Sequence, residues 1–177
     1  SCSVTDNTDV LILRDGLKLV RQKLLEVMRR LKDFALEYKD MPTLGYTHLQ
    51  PAQLVTVGKR ACLWIQDLLM DLEDLDHIAA RLKLLGNKGT TGTQASFLSL
   101  FDNDGAKVDE LERRIAHKMG MDAVYPVSGQ TYPRKLDSRV LSVLSGIAQS
   151  AYKFAQDLRL LQHLKEVEEP FEKNQIG

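Results

Sequence analysis

Cysteine is nearly absent from this sequence: Cys2 and Cys62 are the only two, and they form neither a C-x-x-C pair nor a zinc-like spacing. A disulfide framework is thereby excluded, and two free thiols point to a reducing, cytoplasmic setting. Net charge is missing as well, since 24 Lys and Arg balance 24 Asp and Glu. No basic field exists to attract nucleic acid or an anionic membrane, and no acidic tail suits a cationic partner. No stretch approaches the roughly 20 apolar residues that a membrane span needs, and the N-terminus lacks a signal-peptide pattern. Metal-ligand spacings, a G-x-S-x-G elbow and a Cys/His nucleophile pair are all lacking. An initiator Met is lacking too, so the abrupt start at Ser1 reads as a piece of a longer protein. What remains is a small-molecule or protein partner.

What the sequence does have is apolar periodicity. With 44% hydrophobic residues in 177, one sizeable core is within reach. From about Thr8 to Tyr38, Leu13, Leu17, Val20, Leu24, Val27, Leu31, Phe34 and Tyr38 recur in steps of four and three. This heptad seam predicts one long helix. Asp6, Asn7 and Thr8 are its N-cap candidates, Asp9 suits the first turn, and Pro42 ends it by disfavouring helical geometry at Met41. A second period opens near Pro51, runs through Leu54, Ala61, Trp64, Leu68 and Leu75 to Leu85, and stops at Gly86 as C-cap. A third runs from about Leu136 to Val167 and is closed by Pro170, after a short helix over Val108 to Met119 capped by Gly120.

Three helices of more than 30 residues are stable only where neighbours cover them along their length. The expected fold is therefore all-α, an extended long-helix bundle with members roughly 45 Å long. Ile12, Leu19, Met28, Ile65, Leu69 and Val143 widen the apolar faces beyond a narrow seam, which predicts a homo-oligomer.

Chemistry is expected where the periodicity breaks, at Ser1 to Asp6, Thr43 to Gln53, Gly86 to Ser96 and Ser128 to Lys135. The second break, "GYTHLQPAQ", sets Thr47, His48, Gln50 and Gln53 before a predicted helix N-terminus, where a histidine can move a proton or hydrogen-bond the loop, and where an anion can sit. The third, "GNKGTTGTQAS", fails as a phosphate loop because Lys88 precedes the glycines and no buried strand leads into it. It reads as a tight turn with positive-φ glycines, whose Thr90, Thr91, Thr93 and Ser96 hydroxyls can line a pocket. In the fourth, Gln130 and Arg134 suit carboxylate recognition, or else Gln130 satisfies loop backbone and Arg134 makes a surface ion pair. His77, His117 and His163 are expected to be solvated, and Glu166, Glu168 and Glu169 to face water.

Together "SCSVTDNTD", "GYTHLQPAQLVTVGKR", "KGTTGTQASF", "SGQTYPRKLD" and "EEPFEKNQIG" resemble the adenylosuccinate lyases of the animal type, within the fumarase/aspartase superfamily. "THLQPA" alone is shared across the superfamily; "KGTTGTQASF" and "EEPFEKNQIG" are more specific. The resemblance implies β-elimination of fumarate from adenylosuccinate, giving AMP, and from the succinylocarboxamide ribotide of purine synthesis, with no metal or organic cofactor. It implies His48 as general acid to the leaving nitrogen, and Ser1, Thr47 and Gln130 as donors to the substrate carboxylates. Lys88 and the Gly89 to Ser96 segment are implied near the site. It further implies a homotetramer whose active sites draw on three subunits. Residues 1 to 177 then form the central helical-bundle domain of a longer protein, without its N-terminal domain, C-terminal domain or the mobile loop expected after Gly177, and inactive alone. Other lyases of the superfamily, such as argininosuccinate lyase, a carboxymuconate cycloisomerase, and a non-catalytic helical scaffold are the competing expectations.

Overall fold

A computed structural model describes residues 2–176. The first heptad seam is a helix, α1 (Cys2–Glu37), that begins earlier than the sequence predicts. Asp6, Asn7 and Thr8 therefore lie inside α1 and are not its caps. The reason is tertiary: Asp6 and Asn7 are 3% exposed and spend their side chains on distant backbone, while Thr8 Oγ1 donates to Val4 O at 2.8 Å.

The second seam divides into three conformations. Its start is not helical: β1 (Pro42–Thr47) and β2 (Gln50–Thr56) pair as an antiparallel hairpin, the main departure from an all-α chain among the described residues. Helix α2 (Val57–Ala79) follows, capped by Thr56, whose side chain accepts from Lys59 N–H at 3.1 Å. After Ala79 the chain leaves the helix, although Leu82, Leu84 and Leu85 stay buried. Leu84 instead bridges the Val124 segment, with Leu84 N–H donating to Ala123 O and Tyr125 N–H to Leu84 O, both at 2.9 Å. Gly86, at φ +90°, sits in this irregular stretch and not at a helix C-cap. Apolar spacing is preserved across the switch from helix to loop, which is why it reads as one continuous helix.

Short helix α3 (Ala95–Leu100) was not legible in the sequence; α4 (Gly105–Lys118) and its terminator were. Gly120, at φ +71°, closes α4 in a Schellman motif: its N–H donates to His117 O and that of Met121 to Ala116 O. Helix α5 (Lys135–His163) stops short of Val167 and Pro170. Here too the stop is a Schellman motif, with Lys165 at φ +59° in the place glycine usually takes, and Glu166 N–H donating to Leu161 O at 2.9 Å. That turn folds Glu166 back toward the bundle.

Helix α2 lies between α1 and α5 and runs antiparallel to both. Arg21 on α1 grips Asp76 on α2 through Nε at 2.7 Å and Nη2 at 3.1 Å. At the other end of the same pair Gly58 lies against Ala35 and Lys39, where a Cβ would come 2.7 Å from Lys39 Cα. On the α5 side, Trp64 Nε1 donates to Asp157 at 2.8 Å and Lys153 Nζ to Asp67 at 2.6 Å. Two apolar clusters result. One gathers Val10, Leu17, Leu75, Ile78, Leu136 and Val140 near the start of α1; the other gathers Ala35, Ala61, Trp64 and Leu161 beside the hairpin. Between them on α2, buried Asp71 stands against Gly146 of α5.

Large apolar side chains remain on the outside. Ile12, Leu19 and Val27 on α1, Met70 on α2, and Leu141 and Tyr152 on α5 are exposed. These are the wide faces that the sequence pattern predicts will need further helices.

Candidate active site

Two groups of candidate site residues emerge, at opposite ends of the bundle. The first is carried by the hairpin. Its register pairs Thr47 with Gln50, which leaves His48 and Leu49 as a two-residue turn. Both have positive φ, 53° and 58°, as a type I′ turn requires. That conformation is natural to Asn-Gly and costs an ordinary side chain about 1–2 kcal/mol per residue. Backbone strain of this kind persists where the surroundings fix it and is a marker of function. A bulge at Gly45 completes the shape, since a Cβ there would lie 2.8 Å from Gln53 O.

His48 is exposed and makes no hydrogen bond to a described residue. It lines a groove of about 1070 Å³ with Tyr46, Thr47, Lys59, Arg60, Asp157 and His163. The expected helix N-terminus is not beside it, because β2 intervenes before α2 starts at Val57. His163, expected to be merely solvated, is exposed but faces this same groove; His77 and His117 are exposed as expected. Glu166 does not face water: its side chain is 18% exposed and meets Arg60 Nη1 at 2.7 Å and Thr43 Oγ1 at 2.9 Å. Burial raises the Glu166 carboxyl, but hydrogen bonds from Arg60, Thr43 and Tyr46 and the charge of Arg60 outweigh it, leaving the group below its usual value.

The second group gathers around the first turns of α1. Ser1 lies outside the described residues. Asp6 accepts Tyr132 N–H at 2.9 Å and meets Arg134 Nη2 at 3.3 Å. Arg134 also stacks over the Tyr132 ring, 4.2 Å from its centroid. Tyr132 donates its hydroxyl to Asp137 at 2.7 Å, and burial, then that hydrogen bond, pushes its phenol up to about 12. Asn7 reads both polar groups of Gly86, donating to its carbonyl at 3.0 Å and accepting its N–H at 3.2 Å.

The glycine loop packs on this frame. Gly92, at φ +79°, sits so close to Gly129 that a Cβ would fall 2.8 Å from its carbonyl oxygen. The turn from Gly89 to Thr93 therefore lies beside exposed Gln130, and the Thr90, Thr91, Thr93 and Ser96 side chains are also exposed. Lys88 turns inward instead. Its ammonium donates to the carbonyls of Leu85 and Tyr125, and burial lowers its pKa against the opposing pull of Glu112. Glu112 in turn accepts Asn87 N–H at 3.0 Å. Asp6 is read in the sequence as a helix cap and Tyr132 is not singled out, yet a signal for the Asp6 anchor exists: Asp6 stands four residues before Val10 on the face that Val10 and Leu17 bury, and a polar residue on that face needs a partner.

The two groups cannot meet within one chain. Helix α1 has 36 residues, about 54 Å at the standard rise, with the hairpin beyond one end and Gln130 beside the other. The hairpin end offers an imidazole and a hydroxyl; the other end offers an amide, a guanidinium and several hydroxyls suited to carboxylates. Among the described residues no group of three or more His, Cys, Asp or Glu is placed to hold a metal ion. No helix among them is long and apolar enough to cross a membrane.

The long-helix fold agrees with what comparison finds. A profile of the family described as Lyase matches residues 1–177, and the chain belongs to that family. It is 56% identical over 177 residues to the adenylosuccinate lyases of Saccharomyces cerevisiae and Schizosaccharomyces pombe. That of Schistosoma mansoni is 46% identical over 178 residues. Each match covers 100% of this chain but 37% of the relative, so the chain spans little more than a third of their length. Among solved structures, fumarate lyase from Mesorhizobium sp. BNC1 shares the fold with a TM-score of 0.80 at 26% identity, over 94% of this chain and 37% of that one.

Proposed function

We propose that the chain is the central helical segment of an adenylosuccinate lyase, eliminating fumarate from adenylosuccinate to leave AMP and acting likewise on the succinylocarboxamide ribotide. The observation that carries this reading is the 56% identity to proteins of that name over the whole chain. No cofactor is needed. A base takes the proton beside a succinyl carboxylate, the C–N bond breaks, and His48 gives a proton to the departing nitrogen. Thr47 and Gln130, with Ser1, hold the two carboxylates with neutral donors, which suits a dianion that gains charge in the transition state. The base and the phosphate-binding groups are not assigned to residues of this chain.

Because His48 and Gln130 lie a helix length apart, a complete site takes them from different copies of the chain. We assign the full protein as a cytoplasmic homotetramer in which assembly and catalysis are coupled, and the exposed apolar stripes of α1, α2 and α5 supply the contacts.

The test uses the full-length protein and follows fumarate release by absorbance across a panel of succinyl and argininosuccinyl substrates, and loss of the conjugated diene absorbance for a carboxymuconate. Adenylosuccinate is expected to turn over fastest. His48→Ala is expected to lose about 10²- to 10⁴-fold in kcat while remaining a tetramer by sedimentation. Near-normal turnover of that variant removes the acid role, and a preference for another panel member rejects the substrate.

A further inference from the structure

The hairpin that carries His48 is tied to the bundle almost entirely at its base. From Thr47 to Leu54 every residue is exposed. At the base, Arg60 on α2 spans two partners: Nη2 donates to Leu44 O of β1 at 2.9 Å, and Nη1 to Glu166 at 2.7 Å. The same Glu166 oxygen accepts Thr43 Oγ1 of β1 at 2.9 Å. Glu166 arrives there because the Schellman turn at Lys165 reverses the chain leaving α5. One carboxylate thus joins β1, α2 and the segment after α5, and the Arg60 and Glu166 side chains are only 16% and 18% exposed.

We infer that Glu166, with Arg60, is a positioning residue that sets the pitch of the hairpin and so aims His48 at the departing nitrogen. This rests on the proposed elimination reaction. Leverage makes the effect large. Leu44 to His48 is about 13 Å along a strand, so a tilt of about 5° at the base moves the tip about 1 Å. A misplacement of about 1 Å can cost about 10²-fold in rate. Stability alone does not explain the arrangement, because a partly buried ion pair contributes little net free energy once its desolvation is counted. Its three-way geometry is what a fixed hairpin needs.

The experiment uses the full-length tetramer with Glu166→Ala, Glu166→Gln and Thr43→Val. Glu166→Ala is expected to lower kcat about 10- to 100-fold with KM changed less than about threefold. Hydrogen exchange should rise over residues 42–56 and stay at the parent level in α1, α2 and α5. Glu166→Gln, which keeps an acceptor, should recover part of both effects. Thr43→Val removes only the β1 arm and leaves no charge unpaired, so it should reproduce the same pattern more weakly even if Glu166→Ala misfolds. Unchanged kcat, or a fall in kcat with exchange rising uniformly through the helices, overturns the inference. A parent enzyme that shows no elimination defeats the proposed reaction instead, while the exchange readings still decide whether Glu166 holds the hairpin.

Discussion

Asp6 Oδ2 accepts the backbone N–H of Tyr132 at 2.9 Å, joining the first turns of α1 to a loop 126 residues further on. Gln130 lies two residues before that anchor, so its place relative to α1 depends on Asp6. Asp6→Ala leaves a buried N–H without an acceptor and Arg134 without its ion-pair partner. The expected cost is about 1–3 kcal/mol. In the full-length protein this should appear as a lowered thermal midpoint together with a raised KM. A variant that loses stability but keeps its KM separates the Gln130 loop from substrate binding.

The His48-Leu49 turn trades stability against chemistry. Both residues hold positive φ, where Asn and Gly are at ease. Replacing the pair by Asn-Gly should stabilise the hairpin by about 1 kcal/mol, the relief of strain being partly offset by the extra freedom of glycine when unfolded. Turnover should vanish with the imidazole. Calorimetry and fumarate release on the same sample check both halves. A double variant less stable than the parent shows that the turn is not strained.

Glu166 gives stability a defined pH dependence. Its carboxyl titrates below the ordinary 4.5 when folded, because Arg60, Thr43 and Tyr46 favour the ionised form more than burial disfavours it. As pH falls, the unfolded chain takes up the proton first. The stabilisation is therefore complete above 4.5 and is lost as pH drops through the lower folded value. Between about pH 6 and about pH 4 the thermal midpoint of the parent should fall further than that of Glu166→Gln. Equal falls show that the clasp contributes nothing to acid sensitivity.

The sequence was most legible where one period governs a whole element. The seams of α1 and α5 fixed those helices to within a few residues at most ends, and Gly120 marked the end of α4. It misled where burial outlived the helix: Leu82, Leu84 and Leu85 keep helical spacing while the backbone bridges the Val124 segment. Leu54 fits the α2 period yet is 75% exposed on β2, where it pairs with Leu44. Glu166 looked solvated because nothing local shows that Lys165 adopts a left-handed turn and sends the chain back to Arg60. The motifs point to candidate site residues, but motif order cannot show that Thr47 and His48 stand a full helix away from Gln130. Only the length of α1 does.

That separation yields the sharpest prediction. If each complete site takes His48 from one chain and Gln130 from another, two inactive variants can repair each other. Full-length His48→Ala and Gln130→Ala should each lose turnover alone. When the two are unfolded together in equal amounts and refolded, chains assort at random among the tetramers. A site is sound when both of its contributing chains carry the intact residue, so roughly a quarter of the sites should regain parent activity. Mixing the folded variants without exchange of chains should regain none. If the refolded mixture stays inactive while refolded parent recovers, His48 and Gln130 serve the same site from the same chain, and the account of a divided site is wrong.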